Sequence, residues 1–257
     1  HLNPCMMSHM PQTDPVPPAY RGVWWRSLLA APGVRDTTTL VFWMQASRWH
    51  ADIRIPAGRP DFNGLHSLAG CSEEQLAWLA TQQGFAGVTT VDRRTTETHW
   101  LRQVDFQPPA EFPDVGHASF ENGMLVETGI HADYVEHWHL VPDTNDGFAV
   151  FHRLDGDVPT YLLTAGKMVM YVRARSAGFD AQGWGQGDAL RRQLDFEISC
   201  GERNAGGWQI RHSTLPWREG AQVALTLSER DDGSVQLDID GMASRWEVLE
   251  WTPPRVR

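Results

Sequence analysis

The sequence predicts an all-β protein made of two consecutive antiparallel β-barrels of about eight strands each, with one short helix in the first. Three observations carry that prediction. Short runs rich in β-branched and aromatic residues recur at close spacing from Gly22 to Trp251. Helix signals converge on one segment, Ser72 to Gln83. The turn cluster Pro142-Asp143-Thr144-Asn145-Asp146-Gly147 divides the 257 residues into halves of similar strand content.

The elements follow in order. Residues 1–19 read as a disordered or tag-derived lead-in. Pro11, Pro15, Pro17 and Pro18 exclude helix and central strand there. Ser8-His9-Met10 reads as a cloning remnant with Met10 as a native start, which sets His1, His9 and Cys5 aside. Ordered structure is expected from about Tyr20. The first unit, 20–141, begins with GVWWRSLL, TTTLVFWMQA and RWHADIRIP. In the last of these Trp49, Ala51, Ile53 and Ile55 alternate, and Asp52 and Arg54 share the other face. Ser72 and Gln75 form a capping box, and Glu73 and Glu74 occupy the first turn. Leu76, Leu79 and Ala80 have helical spacing, and Gly84 is read as the stop. Strands resume at FAGVTTVD, THWLRQVDFQ, GHASFE, MLVETGI and YVEHWHLV, with Asn122-Gly123 as a hairpin turn.

The second unit, 148–257, reads as FAVFHRL, TYLLTA, KMVMYVRAR, QLDFEIS, GWQIRHS, QVALTLSE, SVQLDID and RWEVLEW. Asp232-Gly233 marks a hairpin, and AGFDAQGWGQGDALRR reads as a loop with one helical turn at its end. Antiparallel meanders of this size close to remove their edges. Two barrels are therefore the expected outcome, with one continuous sheet sandwich as the alternative.

Composition narrows the function. A hydrophobic fraction of 41% and 12 tryptophans fit a packed globular protein. The formal charge of −10 argues against nucleic acid or an anionic membrane as partner. No apolar run long enough to span a bilayer as a helix appears. Cys5, Cys71 and Cys200 are widely spaced and form no CxxC pair, which argues against a disulfide framework or structural zinc and favours the cytoplasm. There is no GxSxG elbow, Walker A motif or GxGxxG loop. A homodimer is left open.

Two islands of sequence carry a resemblance. YRGVWW resembles the G-x-W start of calycin barrels (the lipocalin and streptavidin type), in which the tryptophan closes the barrel end; the residues concerned are Gly22, Trp24 and Trp25. Glu127-Thr128-Gly129, then Glu136-x-Trp138, with Trp246-Glu247-Val248-x-Glu250 at the chain end, resemble a fungal family of two-barrel calycin-like proteins of unassigned role. That family's pattern has no counterpart to His137 with His139. The resemblance therefore implies lipocalin-like barrels and transfers no catalytic residue. It also implies that Glu127, Glu136 and Trp138 belong to one structural or binding feature of the first barrel.

The stretch VETGIHADYVEHWHLV concentrates the candidate chemistry. On a strand His137 and His139 share one face, and Glu136, Trp138 and Leu140 share the other. The histidines could ligate zinc or iron if Glu127, His99 or His117 supplied a third ligand. On the opposite face Glu136 would need a cation, and Arg102 is the candidate. Two functions follow. The first is binding of an apolar or aromatic small molecule in the first barrel, with Trp25, Trp43, His99 and Trp138 as its contacts. The second is a lipocalin-like isomerase, hydratase or other lyase using Glu136, His137, Arg102 and Glu127, with no cofactor or with a metal on His137 and His139. A haem barrel with a histidine axial ligand is a third reading. Lys167, Arg173, Arg175, Arg191 and Arg192 read as solvated strand faces, and His152 and His212 have no assigned role.

Overall fold

The computed structural model describes residues 13–256. Seventeen strands and two short helices follow one another along the chain. The first group is β1 (Gly22–Ala31), β2 (Val34–Asp36), β3 (Leu40–Gln45), β4 (Trp49–Ile55), β5 (Gln83–Val91), β6 (Glu97–Asp105), β7 (Val115–Glu121), β8 (Met124–Gly129) and β9 (Val135–Leu140). They pair in the order β2-β1-β3-β4-β5-β6-β7-β8-β9, and β1 also pairs with β9. Eight strands therefore form a closed circuit, and β2 is a short hairpin arm on the end of β1.

The second group is β10 (Phe148–Arg153), β11 (Thr160–Ala165), β12 (Met168–Arg173), β13 (Glu197–Asn204), β14 (Gly207–Ser213), β15 (Gln222–Glu229), β16 (Val235–Ile239) and β17 (Met242–Thr252), which close into an eight-stranded barrel. The expected strands are all present. Asn122-Gly123 turns β7 into β8 with both residues at positive φ, as a two-residue type I′ turn requires. The equivalent tight turn in the second barrel is Asp240-Gly241, also at positive φ, between β16 and β17. Asp232-Gly233 instead lies in a longer connection closed by Arg230 N–H to the Ser234 carbonyl.

Helix α1 (Glu73–Leu79) begins at Ser72 with the complete capping box. It ends earlier than the sequence suggests, because Gly84 already belongs to β5. Gly84 serves a close approach: a Cβ there would lie 2.3 Å from Ile198 Cδ1 and 2.5 Å from the Asp52 carbonyl oxygen. The expected single turn before β13 is a two-turn helix, α2 (Asp188–Leu194). Order also begins before Tyr20. Val16 is buried with its N–H on the Ser47 carbonyl, and Pro18–Tyr20 form a 3₁₀ turn. Ser8-His9-Met10, with His1, Cys5 and His9, lies outside the described residues. Among the described residues no helix is long and apolar enough to cross a membrane.

Three apolar clusters organise the molecule. One fills the first barrel's closed end and floor (Tyr20, Trp24, Trp43, Trp100, Trp138). One fills the second barrel (Phe151, Leu162, Trp208, Leu237, Trp246). The largest lies between the barrels and under α1. There Val23, Met44, Ala51, Ile53, Ala86 and Val88, on the outer face of β1, β3, β4 and β5, meet Val150, Tyr161, Leu163, Met170 and Ile198 of the second barrel. Polar side chains fasten the same seam. Glu250 of β17 accepts Ser47 N–H, Ser47 Oγ–H and Trp49 N–H, which caps the turn between β3 and β4. Arg175 donates to the Asp105 and Phe106 carbonyls, and Arg191 to those of Leu68 and Cys71. Both of these arginines, expected to be solvated, tie one barrel to the other. His212 stacks on Phe42, while His152 meets Glu247 at 3.0 Å and leans on Tyr161.

Candidate functional site

Because the outer face of β3, β4 and β5 is buried against a second barrel, it carries the apolar residues, and the polar alternates point into the lumen. Gln45, His50, Asp52, Arg54 and Thr89 are therefore inside. On β9 the inward residues are Glu136 and Trp138. His137 and His139 project outward, where His139 stacks on Trp25 at 4.5 Å and its Nε2 meets Ser27 Oγ at 2.7 Å.

The lumen holds a cavity of about 370 Å³. One end is sealed by Tyr20, Trp24 and Phe120, whose rings lie 5.0 to 6.1 Å apart. Trp24 Nε1–H is fixed on the Tyr20 carbonyl. The tryptophan that closes the barrel is thus Trp24. Trp25, also read as a pocket contact, is 42% exposed on the outer wall. The cavity floor is Trp43, with Trp100 and Trp138 edge-on to it at 5.7 and 5.6 Å. The mouth lies at the other end, beside Val34 of the β2 arm and Ala132-Asp133 between β8 and β9, all solvent-exposed.

Between floor and mouth lies a belt of charge. Arg26 is buried and bonds Glu136 Oε1 and Asp36 Oδ2, both at 3.1 Å. Arg54 holds Asp52 in a bidentate pair at 2.9 and 3.1 Å. Arg102 lies 3.7 Å above the Phe85 ring and pairs with Asp105 at 2.9 Å and Asp114 at 2.8 Å. The expected Arg102–Glu136 pair is therefore replaced by Arg26–Glu136. Arg26 was hidden because β1 is bulged between Arg26 and Leu28. The bulge changes the parity of the strand, so Trp24 and Arg26 face in before it, and Leu29 and Ala31 line the cavity after it.

Glu127 faces Glu136 directly across the β8–β9 ladder. Its Oε1 accepts the Tyr134 hydroxyl at 2.7 Å. Among the described residues it forms no ion pair with Lys, Arg or His. Burial, reinforced by the charges of Glu136 and Asp114, holds the Glu127 carboxyl well above its ordinary value of 4.5. Burial likewise drives the Tyr134 hydroxyl upward. The Glu-Thr-Gly pattern has a geometric basis here. A Cβ on Gly129 would fall 2.1 Å from the Ala132 carbonyl and 2.5 Å from the Tyr134 ring, so glycine lets the chain fold back and deliver Tyr134 to Glu127.

Of the residues singled out from sequence, Glu127, Glu136, Arg102, Trp43 and Trp138 line this cavity. Trp25, His137, His139 and His99 do not. His99 sits on the outer face of β6 with Nε2 2.7 Å from Glu97. His117 is exposed beside the Thr95 carbonyl. Glu127, the other proposed third metal ligand, is on the opposite side of the wall from His137 and His139. Among the described residues no three His, Cys, Asp or Glu side chains gather in a way that could hold a metal. Asp52, Arg54, Phe85, Trp100, Asp114 and Tyr134 join the site from structure alone. The shared face of Asp52 and Arg54 was visible in sequence, but which face pointed inward was not.

A crystal structure of an uncharacterized protein from Saccharomyces cerevisiae, YLR301w, is similar: the TM-score is 0.55 at 12% identity, over 90% of this chain and 98% of that one. At that identity the likeness speaks for the two-barrel fold alone. No family model matches the chain, and no curated protein does.

Proposed function

We propose that the first barrel is a small-molecule binding module and that its occupant sits in the lumen on the Trp43, Trp100 and Trp138 floor. The observation that carries this reading is the cavity itself, closed by aromatics at one end and bordered at the other by exposed loop residues. Small-ligand sites combine apolar walls with a few fixed polar groups. Here the polar groups are fixed by ion pairs before any ligand arrives, which lowers the ordering cost of binding. Two buried donors add support: Trp43 Nε1–H and Trp138 Nε1–H have no acceptor among the described residues. The Pro18–Tyr20 turn and Trp24 at the sealed end favour a calycin-type barrel. The second barrel, packed around its own apolar cluster with a smaller cavity of about 90 Å³, acts as the scaffold.

The test is titration of intrinsic tryptophan fluorescence with a panel of aromatic small molecules, for the wild type and for Ala132→Trp at the mouth. Saturable quenching that the variant loses is expected. Quenching that is absent throughout, or identical in the variant, overturns the reading.

A second reading is favoured by one observation, the raised proton affinity of Glu127 opposite an Arg-bound Glu136. A buried carboxyl with raised proton affinity beside a carboxylate held by an arginine suits an acid role. A lyase or isomerase in this lumen would use Glu127 as acid and Glu136 as base. Glu127→Gln would then abolish turnover, whereas a binding module would only change affinity.

A further inference from the structure

We propose that the ligand class of this lumen is a compact organic cation with a flat apolar body, an aryl-alkyl ammonium, whose charge settles beside Glu127 and Glu136 and whose ring rests on Trp43 and Trp138. The proposal deepens the lumen-binding reading and rests on it.

The charge inventory points there. Arg54 is satisfied by Asp52, Arg102 by Asp105 and Asp114, and Arg26 by Glu136 and Asp36. Each guanidinium near the cavity thus already has a carboxylate. The surplus is acidic, and it centres on Glu127, 5% exposed, with only a tyrosine hydroxyl on one oxygen. Like charges directly opposite on neighbouring strands repel. In the empty lumen a proton on Glu127 relieves that repulsion, and a cation beside Glu127 and Glu136 replaces the proton with an attraction that water screens little. Glycine at 116 accommodates the carboxylate itself, since a Cβ there would come to 3.0 Å from Glu127 Oε1. Indole faces are the preferred aromatic surface for an ammonium. An anionic ligand would meet Asp52, Asp114, Glu127 and Glu136 with no unpaired guanidinium to receive it. A neutral ligand would gain nothing from the Glu127 and Glu136 pair on the wall.

The same arrangement couples binding to a proton. Glu127 is faced by Glu136 on β9, Asp114 ahead of β7, Tyr134 between β8 and β9, Asp52 and Arg54 on β4, Arg102 on β6 and, behind Glu136, Arg26 on β1. Burial and the two nearest carboxylates favour the protonated form of Glu127 when the lumen is empty. A cation favours the carboxylate, so the proton leaves as the cation enters.

Three probes of similar size test this by calorimetry and tryptophan quenching: benzyltrimethylammonium, its neutral shape-mate neopentylbenzene, and phenylacetate. The ammonium is expected to bind about tenfold or more tighter than neopentylbenzene, and phenylacetate weakest. Glu127→Gln should cost the ammonium about tenfold or more and leave neopentylbenzene unchanged. For the wild type, ammonium affinity should rise from pH 5 to pH 8 with proton release, measured in buffers of different ionisation enthalpy. This probe carries no titrating proton, so the dependence belongs to the protein. Equal or tighter binding of the neutral or anionic probe, or ammonium binding without proton release, overturns the cation assignment and leaves lumen binding standing. Binding of none of the three overturns both.

Discussion

Glu127 and Glu136 stand opposite each other on β8 and β9, both inside the first barrel, and among the described residues only Glu136 has an ion-pair partner. One carboxylate is thus held by Arg26, and burial holds the pKa of the other well above its ordinary value. Glu127, Glu136 and Trp138, from the Glu-Thr-Gly and Glu-x-Trp islands, all line the lumen cavity.

Replacing Glu127 by Gln should therefore change stability in a pH-dependent way. A group whose folded pKa is raised contributes stability that is fully present below its unfolded value, here 4.5, and is lost as pH rises through the folded value. Glutamine has no such loss. The variant should be close to wild type at pH 4 and more stable at pH 8, measured as urea unfolding free energies at both. A variant that loses the same amount at both pH values would show that Glu127 carries no proton in the folded protein.

Arg26 is the more fragile partner. Arg26→Met keeps apolar volume but leaves Glu136 buried without its cation. Breaking a buried pair from one side costs about 3–5 kcal/mol. The double change Arg26→Met with Glu136→Gln should recover most of that loss, because the charge left behind, Asp36, is partly exposed and still accepts the Thr38 and Thr39 N–H groups. Denaturant midpoints of the two single variants and the double variant check this; a double variant no better than Arg26→Met would refute the pairing.

Strand count, the α1 cap and the Asn122-Gly123 turn were legible because each depends on local chemistry: alternation, capping and turn conformation. The inward face of the first barrel was not. Period-two alternation separates Asp52 and Arg54 from Ala51 and Ile53, but it does not say which set points inside. The usual expectation places the apolar set in the core, and here that set is buried against another barrel. The same ambiguity covered His137 and His139 against Glu136 and Trp138. The Arg26 pairing was hidden by a bulge, and the Tyr134 contact by a fold-back that depends on Gly129. Non-local contacts of this kind leave no mark in a window of a few residues.

Glu250 ties the chain end to the first barrel, which gives the Trp-Glu-Val-x-Glu island a physical role. Burial raises its pKa, opposed by its hydrogen bonds to Ser47 and Trp49. Glu250→Ala removes three acceptor contacts and leaves two backbone donors unpaired at the seam. The expected loss is about 2 kcal/mol or more, with Glu250→Gln intermediate. Thermal unfolding of the three proteins gives the order, and an unchanged melting temperature for Glu250→Ala would remove Glu250 from the seam's energetics.

His50 sets the acid side of the stability curve. It is fully buried, its Nδ1 meets Thr89 Oγ1 at 2.8 Å, and that hydroxyl donates to Gln45 Oε1. Thr89 therefore accepts from Nδ1–H, and Nε2 is left without a donor among the described residues. Burial, with Arg102 nearby, pushes the imidazole pKa down to about 3 from 6.5. The unfolded chain then takes up a proton below pH 6.5 that the folded protein refuses until about pH 3. Stability falls across that window as the solution is acidified, by roughly 1.4 kcal/mol per pH unit for one proton. A His50→Gln variant, which cannot take up the proton when unfolded, should show a shallower acid limb than the wild type between pH 6 and pH 4. Matching slopes for the two proteins would mean that His50 is protonated inside the barrel.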